Sequence, residues 1–272
     1  MGLYENDSIG ATGCMGSFAG NDQMVDLHYS KAEDYMQYAK SVNVYLDNPL
    51  EEKSRLCGFA MMIKRSVIDE VGVLDEAFSP GYFEDDDLSL RISEKGYKLM
   101  VVHNSFIYHK GSESFNNKNN IVHKTINETL SRNYQYIQNK YGFNAIKDAC
   151  IQNSEKDLFA SISHKPDDSF TFLEINAKAG NFLSALSYSY PFAKIYGTVI
   201  NEKQAKYFVK NIPAIICNPI NDKLPFAKHY FDYIVVNVDP EDSLSIITPE
   251  QAKEYLASFV KENGKLLYIV NE

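Results

Sequence analysis

Hydrophobic and polar positions fall into three textures along the chain. From about residue 155 onward, short runs rich in β-branched and aromatic residues alternate with runs of helical period. Strands are predicted over 170–175, 194–199, 214–216, 231–236 and 265–270, and helices over 181–188, 202–210 and 249–260. Such alternation predicts an α/β, Rossmann-like domain with a mostly parallel, doubly wound sheet. The first 115 residues mix glycines, aromatics and acids. There 64–71 reads as a short helix stopped by Gly72, 86–95 as a helix stopped by Gly96, and 98–103 as a strand. Between these parts, 117–141 sets Ile126, Leu130, Tyr134 and Ile137 at helical spacing and reads as a linker helix. The expected division is 1–115, a linker over 116–154, and 155–272.

The chain has 272 residues, and at roughly 150 residues per domain two domains are expected. Hydrophobic residues make up 44% and charged residues 23%, an ordinary globular balance that excludes a disordered chain. The apolar run around Cys57–Ile63 falls far short of the about 20 residues a membrane-spanning helix needs. Met1 to Asp7 lacks the basic start and apolar stretch of a secretory signal, so a cytoplasmic location is expected. Net charge is −9; residues 1–155 carry 15 basic and 22 acidic side chains, net −7, and the rest carry −2. With no basic patch, a nucleic-acid partner is not expected. Cys14, Cys57, Cys150 and Cys217 lack metal-ligand or redox spacing and read as reduced thiols.

The first chemical candidate is Phe83-Glu-Asp-Asp-Asp-Leu88. Four adjacent carboxylates repel one another, and either a solvated helix start or a functional site has to accommodate them. Around them, five blocks stand in order. They are Gly58-Phe-Ala-Met-Met-Ile-Lys-Arg65, Gly72-Val-Leu-Asp-Glu-Ala-Phe78, Gly81-Tyr-Phe-Glu-Asp-Asp-Asp-Leu-Ser-Leu-Arg91, Gly96-Tyr-Lys-Leu99 and Tyr108-His-Lys-Gly-Ser112. This series resembles the C-terminal half of the GT-A catalytic domain of family 2 glycosyltransferases. The resemblance implies that Asp85, in the pair Glu84-Asp85, is a catalytic base taking the proton of an acceptor hydroxyl. It implies that Gly58, Asp87 and Lys110 bind substrate and that His109 ligates a divalent metal, Mg or Mn. The implied partners are a nucleotide-sugar and a glycan acceptor, as in polysaccharide biosynthesis. The family's upstream Asp-x-Asp motif has no counterpart here, so Met1 is expected to begin inside that domain, without the donor-nucleotide half.

A second resemblance rests on Phe172-Leu-Glu-Ile-Asn-Ala-Lys-Ala-Gly-Asn-Phe-Leu183, Tyr196-Gly-Thr-Val-Ile-Asn-Glu-Lys-Gln-Ala205, Leu224-Pro-Phe226, Phe231-Asp-Tyr-Ile234 and Glu262-Asn-Gly-Lys-Leu-Leu267. These resemble class I S-adenosylmethionine-dependent methyltransferases. Where that family reads acidic-x-Gly-x-Gly-x-Gly, this chain reads Glu174-Ile-Asn176-Ala-Lys178-Ala-Gly180, leaving Glu174 and Gly180 as the cofactor-binding candidates. Two glycines that permit a tight turn are replaced. Lys178 is expected where the methionine moiety would lie, and Val199 where the family has a ribose-binding acid. Together these departures predict a retained fold and a lost S-adenosylmethionine site. The strand over 266–270 is expected at a sheet edge, open to self-association. The leading functional expectation is inverting sugar transfer by a partial glycosyltransferase. The alternatives are an S-adenosylmethionine-dependent methyltransferase and a non-catalytic binding module.

Overall fold

The computed structural model describes residues 2–20, 22–110, 120–142, 147–217, 222–238 and 249–270, with the side chains of 120–125 and 249–252 left aside. Gly111-Ser112, the end of the fifth block named above, lies outside the described residues. The chain divides into two compact units, Met1–Ala149 and Cys150–Glu272.

The first unit is built on a four-stranded mixed sheet in the order β2-β4-β1-β3. Its strands are β1 (Ile9–Gly16), β2 (Leu50–Lys53), β3 (Met61–Ile63) and β4 (Lys98–Ile107). β1 runs parallel to β4 and antiparallel to β3, and β2 is antiparallel to β4. The helices are α1 (Ala32–Val42), α2 (Arg65–Val71), α3 (Glu84–Glu94) and α4 (Asn120–Tyr141). Ala11, Leu56, Val67, Leu88, Ile92, Leu99 and Val101 form its core between sheet and helices. Gly72 ends α2 at φ +82, a left-handed conformation that suits glycine. The segment read as a linker helix packs in this unit, with Ile137 and Tyr141 buried. Asn133 of α4 donates to the carbonyls of Phe78, Gly81 and Tyr82 at 2.7, 2.9 and 3.1 Å, fixing the turn that leads into α3.

Strand β2 shows why some elements escape sequence reading. Leu50-Glu-Glu-Lys53 is charged, yet its last three residues are buried. Glu51 meets Lys53 at 2.6 Å and His103 at 2.7 Å, so the ions are neutralised within the sheet. Those partners hold the Glu51 carboxyl below its ordinary range despite its burial.

The second unit contains α5 (Asn153–Ser161), β5 (Thr171–Ile175), α6 (Asn181–Ser189), β6 (Lys194–Val199), α7 (Glu202–Tyr207), β7 (Ala214–Ile216), β8 (Phe231–Val238), α8 (Pro249–Ala257) and β9 (Val260–Val270). Its sheet order is β7-β6-β5-β8-β9, and every pairing is parallel. This is the doubly wound, Rossmann-like α/β sheet expected from the alternation of strands and helices. Successive residues of β5 feed opposite layers. Phe172 enters a core with Leu183, Ile195 and Phe208, whereas Leu173 and Ile175 enter another with Ile234 and Leu256. The chain winds outward from β5 through β6 to β7, then crosses back to β8 and β9. The winding therefore reverses at the neighbouring carboxyl ends of β5 and β8, where sheets of this class bind ligands. β9 lies at the sheet edge. Among the described residues no helix is long and apolar enough to cross a membrane. Among the described residues none of Cys14, Cys57, Cys150 and Cys217 forms a disulfide.

Candidate functional site

The carboxyl edge of β5 gathers the polar groups of the second unit. Glu174, Asn176, Lys178 and Asn181 are all buried there, Glu174 with no exposed surface. The turn from β5 to α6 takes left-handed backbone at Asn176 (φ +60), Lys178 (φ +50) and Gly180 (φ +78). These are the three positions where the resembled family carries glycine. The tight turn is thus kept with non-glycine residues at two of the three positions. Asn adopts this conformation readily, and Lys does so at roughly 1–2 kcal/mol. Asn176 N–H donates to Thr198 Oγ1 at 3.0 Å and Ala177 N–H to the Thr198 carbonyl at 2.8 Å, pinning the turn to β6. Gly180 serves packing: a Cβ there would stand 2.7 Å from the Phe208 ring and 2.8 Å from Val209.

Glu174 faces groups from three other elements. Asn237 of β8 donates to Glu174 Oε1 at 3.5 Å and to Glu155 Oε1 of α5 at 3.0 Å. Burial, then the nearby Glu155 charge, raise the Glu174 carboxyl well above its ordinary range, against the opposing pull of Lys178. Two carboxylates cannot hydrogen-bond to each other. The contact between Glu174 and Glu155 is a hydrogen bond only when one of them is protonated. Without that proton Glu174 Oε2 has no donor, and Asn176 Oδ1 has none either. Both orphaned atoms are buried acceptors at the reversal point of the sheet. A ligand bringing an ammonium group would supply the missing donors. On this ground the residues fit the amino-acid end of S-adenosylmethionine. At the end of β6, Val199 is buried in the core, so the edge offers no carboxylate at that position.

In the first unit the acidic run opens α3, but its members have separate fates. Asp86 is ion-paired with Arg55. Asp87, expected at the substrate, has no exposed side-chain surface; it holds Arg91 at 2.8 Å, Lys140 at 2.6 Å and the Tyr141 hydroxyl at 2.6 Å. Asp85 is half-buried and its Oδ2 accepts the Gly58 N–H at 2.6 Å. A Cβ on Gly58 would lie 2.9 Å from the Asp85 Cβ, so glycine permits this approach. Burial first, then the charge of Asp86, raise the Asp85 carboxyl to about 7. His109 is stacked on Phe59 with ring centres 5.0 Å apart, and its Nδ1–H donates to the Phe18 carbonyl at 2.5 Å. Asp85 and His109 thus both adjoin the Gly58–Ala60 turn. Glu84 is half-buried and Lys110 exposed. Among the described residues no three His, Cys, Asp or Glu side chains assemble a metal site, at His109 or elsewhere.

Sequence reading missed Glu155, Asn176 and Asn237. Glu155 is a capping-box residue, its Oε2 accepting the Gln152 N–H at 2.7 Å, and only the fold reveals its second role.

No protein-family model and no curated protein matches the chain. Solved structures do. A SAM-dependent methyltransferase from Aquifex aeolicus matches with 20% identity and a TM-score of 0.35, covering 43% of this chain and 63% of that one. A putative S-adenosyl-L-methionine-dependent methyltransferase from Methanococcus maripaludis matches with 16% identity and a TM-score of 0.36, covering 52% and 62%. Geranyl diphosphate C-methyltransferase from Streptomyces coelicolor A3(2), in complex with Mg2+, geranyl-S-thiolodiphosphate and S-adenosyl-L-homocysteine, matches with 14% identity and a TM-score of 0.35, covering 43% and 42%. The chain therefore spans less than two thirds of the length of each, and at such identities the likeness concerns fold alone. These comparisons correct two expectations. The matched structures are methyltransferases, so sugar transfer is set aside as the leading function, and no comparison ties Met1–Ala149 to a GT-A domain. Against the expected loss of S-adenosylmethionine, the matched proteins are described as dependent on that cofactor or bound to S-adenosyl-L-homocysteine.

Proposed function

We propose that the second unit is a methyltransferase-type module that binds S-adenosylmethionine at the carboxyl edge of β5 and β8. The supporting observation is the pair of buried, donorless acceptors, Glu174 Oε2 and Asn176 Oδ1, at the point where the sheet reverses. When bound, this cofactor supplies an electrophilic methyl group. Glu174 and Asn176 would accept hydrogen bonds from its ammonium end; Asn237 donates to Glu174, and the turn pinned to Thr198 holds the acceptors in place. Burial of these groups keeps water from competing for them. A thermal-shift titration of the full chain with S-adenosylmethionine tests the reading. A saturable rise in Tm is expected in the wild type and its loss in Glu174→Ala. A flat response of the wild type at millimolar cofactor contradicts the reading.

A second reading concerns the first unit and is supported by Asp85. We propose that Asp85, beside Glu84 and Gly58, is a proton acceptor. A carboxyl raised to about 7 and held by the Gly58 N–H is matched to proton transfer near neutrality. Carbon-13 NMR of labelled aspartate is expected to show one carboxyl titrating near 7 that disappears in Asp85→Asn. A spectrum with every aspartate titrating below 5 overturns it.

A further inference from the structure

Helix α3 begins where its own sequence gives little reason to begin. Its N-cap residue is Phe83, which makes no side-chain capping bond and takes left-handed backbone (φ +72), and Tyr82 before it does the same (φ +72). N-caps usually take extended backbone and accept an N–H through Ser, Thr, Asp or Asn. Aromatic residues stay in the left-handed region only when surrounding structure holds them there. Asn133 of α4 supplies that hold. It has no exposed surface, and its amide donates to the carbonyls of Phe78, Gly81 and Tyr82. Arg132 Nε–H donates to Asn133 Oδ1 at 2.9 Å, which turns the amide NH2 group toward the loop. Further along α4, Lys140 and the Tyr141 hydroxyl meet Asp87. The helix thus grips the chain on both sides of Asp85.

We propose that Asn133 is a positioning residue for Asp85: its grip on the 78–82 backbone keeps Tyr82 and Phe83 left-handed, and that geometry sets the Asp85 carboxyl against the Gly58 N–H. The inference rests on the reading of Asp85 as a proton acceptor. Asp85 Oδ2 meets the Gly58 N–H at 2.6 Å, and a Cβ on Gly58 would lie 2.9 Å from the Asp85 Cβ. So close an approach has little tolerance for a change of backbone two or three residues away. Without Asn133 the three carbonyls lose a shared donor, and the left-handed pair relaxes toward ordinary dihedrals. Asp85 then withdraws from Gly58 toward solvent. The charged groups that act on Asp85 include Glu84 and Asp86 on α3 and Arg55, the partner of Asp86. A neutral change at Asn133 alters none of them, so a shift in the titration of Asp85 reports its position. Burial is the main cause that raises this carboxyl, and withdrawal is therefore expected to lower it.

The test is an NMR pH titration of the full chain, labelled with carbon-13 at the aspartate carboxyls and nitrogen-15 along the backbone. In the wild type the Gly58 amide proton is expected to shift together with the Asp85 carboxyl, because the two share a hydrogen bond. In folded Asn133→Ala the carboxyl midpoint is expected to fall by about one pH unit or more, and the Gly58 amide to stop following it. Asn133→Ser keeps one hydroxyl donor. It is expected to give a smaller fall, and it is read in the same way if Asn133→Ala does not fold. Adding Tyr82→Gly to either variant is expected to recover about half of the fall or more, because glycine takes left-handed backbone without a Cβ clash. A merely structural Asn133 would give no such recovery. An unchanged midpoint and Gly58 coupling in the folded variants overturns the role of Asn133 and leaves the reading of Asp85 standing. A fall that Tyr82→Gly does not recover overturns the action through left-handed backbone. A wild type with no carboxyl titrating near 7 overturns both the inference and the reading beneath it.

Discussion

The two units handle buried acids in opposite ways. In the first, four carboxylates adjoin in sequence, yet the fold gives two of them cations of their own: Asp86 has Arg55, and Asp87 has Arg91 and Lys140. In the second, Glu155 and Glu174 are distant in sequence and meet across one amide, with Lys178 the nearby cation acting on Glu174. Crowding along the chain thus overstates electrostatic conflict, because helix geometry points neighbouring side chains in different directions. A lone acid in an apolar strand understates it. The unmet hydrogen-bonding need is the stronger pointer to a ligand, and at Glu174 it coincides with the reversal point of a parallel sheet.

The contrast predicts effects of different size. Asp87→Ala is expected to be the most damaging, destabilising the fold by about 3–5 kcal/mol in urea unfolding, because Arg91, Lys140 and the Tyr141 hydroxyl all lose the buried carboxylate they share. A loss below about 1 kcal/mol would show that Asp87 is not the anchor of α4.

Asp85→Asn is expected to stabilise by roughly 2 kcal/mol, discounted for partial exposure, an effect that reaches its full size at neutral pH and above. Its raised carboxyl means that the folded state holds a proton that the unfolded state has lost. Wild-type stability therefore falls as pH climbs from about 4, the unfolded value, to about 7, the folded one. The variant and wild type should coincide near pH 4 and diverge through pH 7. Parallel stability curves across that window would remove the special status of Asp85.

Glu174→Gln is expected to weaken S-adenosylmethionine at least tenfold, about 1.4 kcal/mol, without lowering stability at pH 8, since it removes a buried carboxylate with an unmet need. Equal losses of affinity and stability would mean a purely structural acid. The smallest effect is expected at Lys261→Ala. Asp232 meets Lys261 at 2.8 Å but also accepts from the Thr171 N–H and hydroxyl, so the surface pair should contribute under 1 kcal/mol in thermal unfolding.

The fold was largely legible where hydrophobic period and stop signals agreed. The strands and helices from Thr171 to Val270 follow from alternating runs, and α2 ends at the glycine that marks it. β1, with glycines and alanine among its residues, and β2, with three charged residues, carry little hydrophobic signal; both are strands because their neighbours in the sheet complete them. Candidate residues divided similarly. Glu174 and Asp85 were visible from motif position. Glu155 and Asn237 were not, because a cap residue and a strand asparagine become chemically notable only when the fold brings them to one carboxyl. The turn at Asn176 to Gly180 shows the limit of reading glycines as geometry: left-handed backbone persisted after two glycines were replaced.

Equilibrium calorimetry of S-adenosylmethionine against the full chain, wild type beside Glu174→Ala, tests the central claim most directly. The account predicts saturable one-to-one binding by the wild type and at least a tenfold weaker Kd for a variant that still unfolds cooperatively. Absence of binding by folded wild-type protein, or equal affinity in the two, would contradict it.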